Sequence, residues 1–135
     1  MTQPSSPCYL FVYGTLMQTY DNPYATLLRS NSRFVSEGYA QGKIYKIDFY
    51  PGLKRSIDQS HKVYGQVYEL TNQIAHVLRS LDEYEGITHP PTQENDYERV
   101  SIPIYTTHGL IDCWAYIYLR PVLEEEWIVS GRFSG

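Results

Sequence analysis

The strongest constraint on the fold is a change in hydrophobic period near residue 71. Residues 63–70 alternate between apolar and polar side chains, as a half-buried β-strand does. Residues 97–105 and 110–119 alternate in the same way and are separated by a Thr-His-Gly turn at 107–109. Between these strands the period becomes helical. The pattern predicts a sheet interrupted by a central helix.

The helix is predicted over residues 72–84. Thr71 suits the N-cap, and Gly86 can end the helix in the left-handed conformation. The positions that recur at helical spacing are Ile74, Val77, Leu78 and Leu81.

Further strands are predicted at residues 8–13, from Phe34 to Ile47, and at 53–57, with Tyr50-Pro51-Gly52-Leu53 as a turn. A short helix capped by Asn22 and opened by Pro23 is expected before the second strand. Strands that follow one another closely pair antiparallel in most cases. The expected architecture is therefore a curled sheet or small barrel with helices packed outside or at one end.

Composition narrows the classes of protein that this chain can belong to. With 135 residues, 42% of them hydrophobic, it is expected to form one domain over residues 8–135 after a flexible tail at 1–7. The net charge is −4 and the longest basic run is Lys54-Arg55, which argues against a nucleic-acid partner.

Location is predicted from what the sequence lacks. No stretch approaches the roughly 20 apolar residues of a membrane span, and the first residues do not resemble a signal peptide. Cys8 and Cys113 have neither metal-ligand nor CxxC spacing. Two reduced thiols in a cytoplasmic protein are expected, without membrane association, although a single disulfide between them stays possible.

The first strand ends abruptly in the segment 10–16, Leu-Phe-Val-Tyr-Gly-Thr-Leu. Gly14 permits a positive φ or a close approach of a ligand to the backbone. The amides of Gly14, Thr15 and Leu16 can then point at one spot and form an anion-binding nest. The alternative is an ordinary junction between a strand and a turn.

The end of the central helix is acidic. Asp82, Glu83 and Glu85 oppose the helix dipole, whose C-terminus favours cations. Either these are solvated surface acids, or one of them faces a pocket and has a raised pKa that suits proton transfer. Glu85, beside Gly86, is the best candidate, and Asp82 is expected to bond to nearby backbone.

Other catalytic patterns are weak. The four histidines show neither HxxxH nor HExxH spacing, so no metal site is expected, and neither a P-loop nor GxSxG nor GxGxxG is present. His76 is expected to face solvent.

Two motifs in order resemble the γ-glutamylcyclotransferase-like superfamily, most closely its AIG2-like or γ-glutamylamine cyclotransferase branch. They are Tyr-Gly-Thr-Leu at 13–16 and Leu-Asp-Glu-Tyr-Glu-Gly at 81–86. Weaker matches are Gly42 with Tyr45, Tyr-Pro-Gly at 50–52, the strand 63–68, and Tyr97-x-Arg99. The resemblance spans about residues 9–120.

The resemblance implies an α+β fold: a small mixed, largely antiparallel β-barrel with flanking helices and a cavity for a γ-glutamyl group. It implies a cofactor-free acyltransferase- or lyase-type reaction in which the substrate α-amine attacks its own γ-carbonyl, releasing 5-oxoproline and an amine. Glu85 matches the catalytic glutamate. Tyr13, Gly14, Thr15 and Leu16 match the substrate-binding loop. Tyr97 and Tyr116 are expected to line the pocket, or else to be core-edge residues.

Two departures bear on the substrate. Glutathione-directed branches carry Ser-Asn where this chain has Thr15-Leu16, which favours γ-glutamyl amines or related compounds. The C-terminal segment 131–133, Gly-Arg-Phe, differs from the Gly-Asp-Trp of many AIG2-like relatives.

Two other functions are alternatives to this cyclotransferase activity. One is a non-enzymatic metabolite-binding module on the same fold, and the other is an enzyme that removes a γ-glutamyl protecting group in a biosynthetic pathway. No obligate protein partner is evident.

Overall fold

A computed structural model of the protein describes residues 7–13, 23–48, 50–92 and 94–133. Within these residues, six strands and two α-helices follow one another, with a 3₁₀ helix near the end. The strands are β1 (Cys8–Val12), β2 (Ser32–Ile47), β3 (Tyr50–Arg55), β4 (Lys62–Leu70), β5 (Tyr97–Thr106) and β6 (Gly109–Tyr118). The helices are α1 (Pro23–Ser30) and α2 (Ile74–Tyr84), and the 3₁₀ helix is Glu124–Glu126.

Five of these strands close into a barrel. They pair in the order β2, β4, β1, β6 and β5, and β5 returns to β2 through Gly38↔Thr106 and Tyr39↔Tyr105. Strand β3 lies outside the ring, on β2. Every pairing is antiparallel except β1 with β6, which is parallel. The expected mixed, largely antiparallel barrel with flanking helices is therefore confirmed.

Alternate residues of β1 serve two apolar clusters. Leu10 and Val12 pack in a cluster that includes both helices, with Leu28 of α1 and Leu81 of α2. Phe11 packs in a second cluster, formed by strand residues and Phe133. Strand β1 lies between the two clusters, and it pairs with β6 at Leu10 and with β4 as far as Val12, which fixes the end of the strand.

Helix α2 begins later than predicted. Its N-cap is Gln73, in the left-handed region at φ 48°, so Thr71 does not cap the helix. The Thr71 hydroxyl and amide instead donate to the Asn31 carbonyl at 3.1 and 2.8 Å, which ties the start of α2 to the end of α1. Gly86, at φ 75°, ends the helix as predicted.

The predicted turn at 50–53 is wrong, because Tyr50 already pairs with Ile47 as the first residue of β3. The chain reverses just before it, where Asp48 has φ 52°. Gly52 is needed for close packing instead of for a turn. A Cβ there would lie 2.9 Å from the Tyr118 side chain. The strand is accordingly 50–55 and not 53–57.

Neither α-helix in the described ranges is long and apolar enough to cross a membrane.

Candidate functional site

A cavity of about 400 Å³ opens where the end of β1, the start of β3 and the C-terminal end of α2 meet β5 and β6. Most of its wall is apolar or aromatic, and Glu85 and Asp96 are the charged residues among its described lining. A concave, largely apolar space with a few converging polar groups is typical of a small-molecule site.

The structure brings four of the predicted site residues together at this cavity. Tyr13 follows β1, Glu85 follows α2, Tyr97 begins β5 and Tyr116 lies on β6. Gly14, Thr15 and Leu16 lie outside the described residues, so the nest formed by their amides stays a prediction. Tyr13 directly precedes them, and it lines the cavity that Glu85 also lines.

Glu85 is placed by the way α2 ends. It is the first residue after the helix, and its amide still donates to the Leu81 carbonyl at 3.0 Å. Among the described residues, its carboxylate makes neither a hydrogen bond nor an ion pair, although it lines the cavity. A carboxylate that has no partner among the described residues and borders a largely apolar space can act on a ligand.

Two causes raise the pKa of Glu85 to about 7. The larger is burial, which disfavours the charged form, and the smaller is the nearby Asp82 carboxylate. A carboxyl group with this pKa can both accept and return a proton near neutral pH.

The three tyrosines that the sequence predicted at this site already use their hydroxyls as donors. Tyr13 donates to the Tyr116 carbonyl, Tyr97 to the Pro51 carbonyl at 2.6 Å, and Tyr116 to Asp82 Oδ1 at 2.7 Å. Burial is the first cause that raises the pKa of each, and the Glu85 charge adds to it. A neutral hydroxyl whose proton is committed can only accept from a ligand. These oxygens therefore suit a ligand that donates N–H groups.

Asp82 does not bond to nearby backbone through its side chain, contrary to the sequence prediction. It is 2% exposed, and both its oxygens are held by Arg99, at 2.8 Å from Nε and 3.2 Å from the second nitrogen. His89 Nε2 lies 3.4 Å from Oδ2. A signal for this burial was present, because Asp82 follows Leu78 by four residues and so falls on the apolar side of the helix.

Sequence reasoning gave no role to Tyr50 or Asp96, which also line the cavity. Tyr50 follows the reversal at Asp48, which the sequence did not predict, and Asp96 directly precedes β5. The expectation that His76 faces solvent is confirmed, since it is exposed on α2. Among the described residues, no three His, Cys, Asp or Glu side chains are grouped to hold a metal ion.

The raised pKa of Glu85 predicts a pH-dependent stability. Folded Glu85 binds its proton more tightly than unfolded Glu85, with a pKa of about 7 against 4.5, so unfolding releases a proton between these values. Stability contributed by Glu85 is therefore lost as the pH rises through this window. We expect Glu85→Gln to be more stable than wild type by about 3 kcal/mol near pH 8, a difference that vanishes toward about pH 4. Urea unfolding of both proteins at several pH values measures this difference. If the free energy of unfolding changed with pH in the same way for both proteins, the prediction would be contradicted.

The chain matches a known protein family. The family model described as gamma-glutamyl cyclotransferase, AIG2-like, matches residues 10–134. No curated protein matches the chain in sequence.

Several solved structures share the fold. An AIG2-like protein from Mus musculus is 20% identical with a TM-score of 0.68, over 96% of this chain and 90% of its own. YkqA from Bacillus subtilis is 21% identical with a TM-score of 0.67, over 95% of this chain, which spans only 40% of YkqA. A gamma-glutamyl cyclotransferase is 19% identical with a TM-score of 0.56, over 84% of this chain and 67% of its own.

Proposed function

The chain belongs to the gamma-glutamyl cyclotransferase, AIG2-like family, and we propose that it releases 5-oxoproline from γ-glutamyl amines or related γ-glutamyl compounds. In this reaction the α-amine of the substrate attacks its own γ-carbonyl. The γ-amide bond breaks and the amine half leaves. Glu85 is proposed as the general acid and base.

The observation that carries the proposal is the state of Glu85. Its carboxylate is unpaired among the described residues, lines the cavity and has a pKa raised to about 7. An α-ammonium must lose a proton before it can attack, and the leaving nitrogen must gain one. A single group with a pKa near neutrality can serve both steps.

Besides proton transfer, the proposed reaction requires mainly that the protein hold the substrate in a folded conformation. The nucleophile and the carbonyl belong to one molecule, so holding the substrate folded supplies much of the rate. Ring closure forms the C–N bond of the lactam and breaks the C–N bond of the γ-amide. The α-nitrogen loses two protons on becoming the ring amide. Both can pass through Glu85 to the leaving nitrogen, which departs as an ammonium.

The walls of the cavity suit the two ends of the glutamyl group. The hydroxyl oxygens of Tyr13, Tyr97 and Tyr116 can accept from the α-ammonium beside Glu85, because their own protons are committed. The predicted nest of Gly14, Thr15 and Leu16 amides would bind the α-carboxylate or polarise the γ-carbonyl.

A panel of γ-glutamyl amines and γ-glutamyl dipeptides, assayed for 5-oxoproline, tests the proposal. We expect turnover of at least one γ-glutamyl amine by the purified chain. Binding of a panel member without any 5-oxoproline would contradict the proposal and favour a metabolite-binding module. The identity of the amine released most rapidly defines the second half of the substrate.

A further inference from the structure

Asp82 and Glu85 lie three residues apart at the end of α2, yet their surroundings are opposite. Asp82 is 2% exposed, with Arg99, Tyr116 and His89 around its oxygens. Glu85 lines the cavity unpaired among the described residues. Burying a charge is costly unless it is paired and hydrogen-bonded. Because even a paired buried charge adds little to stability, we expect the ion pair between Asp82 and Arg99 to have another role.

Arg99, the partner of Asp82, also packs against an aromatic ring. Its guanidinium lies over the Trp114 ring of β6, 4.5 Å from the ring centroid, and its side chain is 21% exposed. The two nitrogens that contact Asp82 are the fork that matches a carboxylate. The end of α2 is thereby fixed to β5 and β6 through a charged contact.

Tyr116 extends the same contact to β1. Its hydroxyl donates to Asp82 Oδ1 at 2.7 Å, and its carbonyl accepts the hydroxyl of Tyr13. Asp82 is therefore connected through one residue to the position that precedes the predicted binding loop.

We propose that Asp82 is a positioning residue: held by Arg99 and Tyr116, it fixes the last turn of α2 so that Glu85 faces the end of β1. The pair of Asp82 and Arg99 also places a carboxylate, whose charge the guanidinium balances, near the carboxyl group of Glu85. This inference rests on the proposed function only for its catalytic meaning, because the arrangement itself can be tested without substrate.

Several other charged or titratable groups line the cavity with Glu85, and they are common to wild type and to the variants below. They are Tyr13, Tyr50, Tyr84, Asp96, Tyr97 and Tyr116. His89 faces Asp82 instead.

The two members of the pair are expected to act on Glu85 with opposite sign. Asp82→Asn removes the neighbouring negative charge and leaves Arg99 unbalanced, so the pKa of Glu85 falls. Arg99→Gln leaves Asp82 unbalanced, so the pKa of Glu85 rises. Each shift is expected to be at least about 0.5 pH unit. The double variant keeps the local charge balanced but lacks the ion pair that positions Glu85, so its titration should stay displaced from that of wild type.

The titration of the Glu85 side-chain carboxyl, followed by ¹³C NMR and assigned by its absence in Glu85→Gln, tests this directly. Arg33→Gln is the matched control, since it removes a guanidinium from an exposed ion pair with Glu69 and should leave the titration unchanged. Opposite shifts in the two single variants, together with a double variant that titrates away from wild type, support the proposal, and a double variant that titrates as wild type does overturns it. Shifts of the same sign, or none beyond the control, overturn it. If Asp82→Asn does not fold, the double variant must still titrate below Arg99→Gln.

The acid limb of kcat/KM for 5-oxoproline release should move with the same signs. If wild type releases no 5-oxoproline, the proposed function fails while the NMR titration still decides the role of Asp82.

Discussion

Glu85→Gln is expected to lower kcat for 5-oxoproline release by about 10³-fold, because general acid–base catalysis contributes roughly 10²–10⁴-fold. The amide of glutamine has nearly the shape of the carboxyl group, but it can neither accept the ammonium proton nor return it to the leaving nitrogen. Since the carboxylate makes no described contact with the protein, the variant should fold as wild type does. Steady-state assays on a substrate from the panel give the ratio.

Glu83→Gln is the matched control for this loss. Glu83 lies two residues earlier, carries the same side chain and is exposed on α2. Its replacement should leave kcat unchanged. The control measures how removal of one negative charge from the end of α2 affects kcat when the cavity carboxylate is kept. Full activity of Glu85→Gln would contradict the assigned role whatever the substrate.

Asp82→Ala is expected to produce the largest loss of stability among the predictions made for this chain. Removing one member of a buried ion pair costs about 3 kcal/mol or more, because the other charge is left without its partner. Here Arg99 and the hydroxyl of Tyr116 both lose their acceptor. Urea unfolding measures the change in the free energy of unfolding.

The partly exposed pair of Arg33 and Glu69 provides the comparison for Asp82→Ala. The Arg33 and Glu69 side chains are 64% and 22% exposed, against 21% and 2% for Arg99 and Asp82, so Glu69→Ala is expected to cost less than about 1 kcal/mol. Equal losses in the free energy of unfolding from Asp82→Ala and Glu69→Ala would contradict this, because the buried pair would then contribute no more to stability than the partly exposed one.

The fold was predictable from the sequence because periodicity reports which side of an element is buried. Alternation identified β4, β5 and β6, and the helical spacing from Ile74 to Leu81 identified α2. The start of α2 was missed because Thr71, a good capping residue, bonds to Asn31, which lies between α1 and β2. The Tyr-Pro-Gly segment at 50–52 was misread because Gly52 serves the packing of Tyr118, a contact made between distant parts of the chain.

The candidate site could be predicted only in part. Acids at the wrong end of a helix dipole, with the family motifs, pointed to Glu85 before the structure placed it at the cavity. Tyr97 and Tyr116 were identified by position in the family. The partners of Asp82 could not be read from the sequence, because Arg99 and Tyr116 reach it from strands 17 and 34 residues away. Such contacts depend on barrel closure and register, which local patterns do not specify.

In the proposed reaction, the bond to the amine half is broken by the substrate's own amine and not by water. Turnover of a γ-glutamyl amine in ¹⁸O-labelled water, with mass spectrometry of the products, tests it most directly. We expect 5-oxoproline without ¹⁸O and an equal amount of free amine. Glutamate carrying ¹⁸O as the first product would contradict intramolecular cyclisation and assign this cavity to hydrolysis.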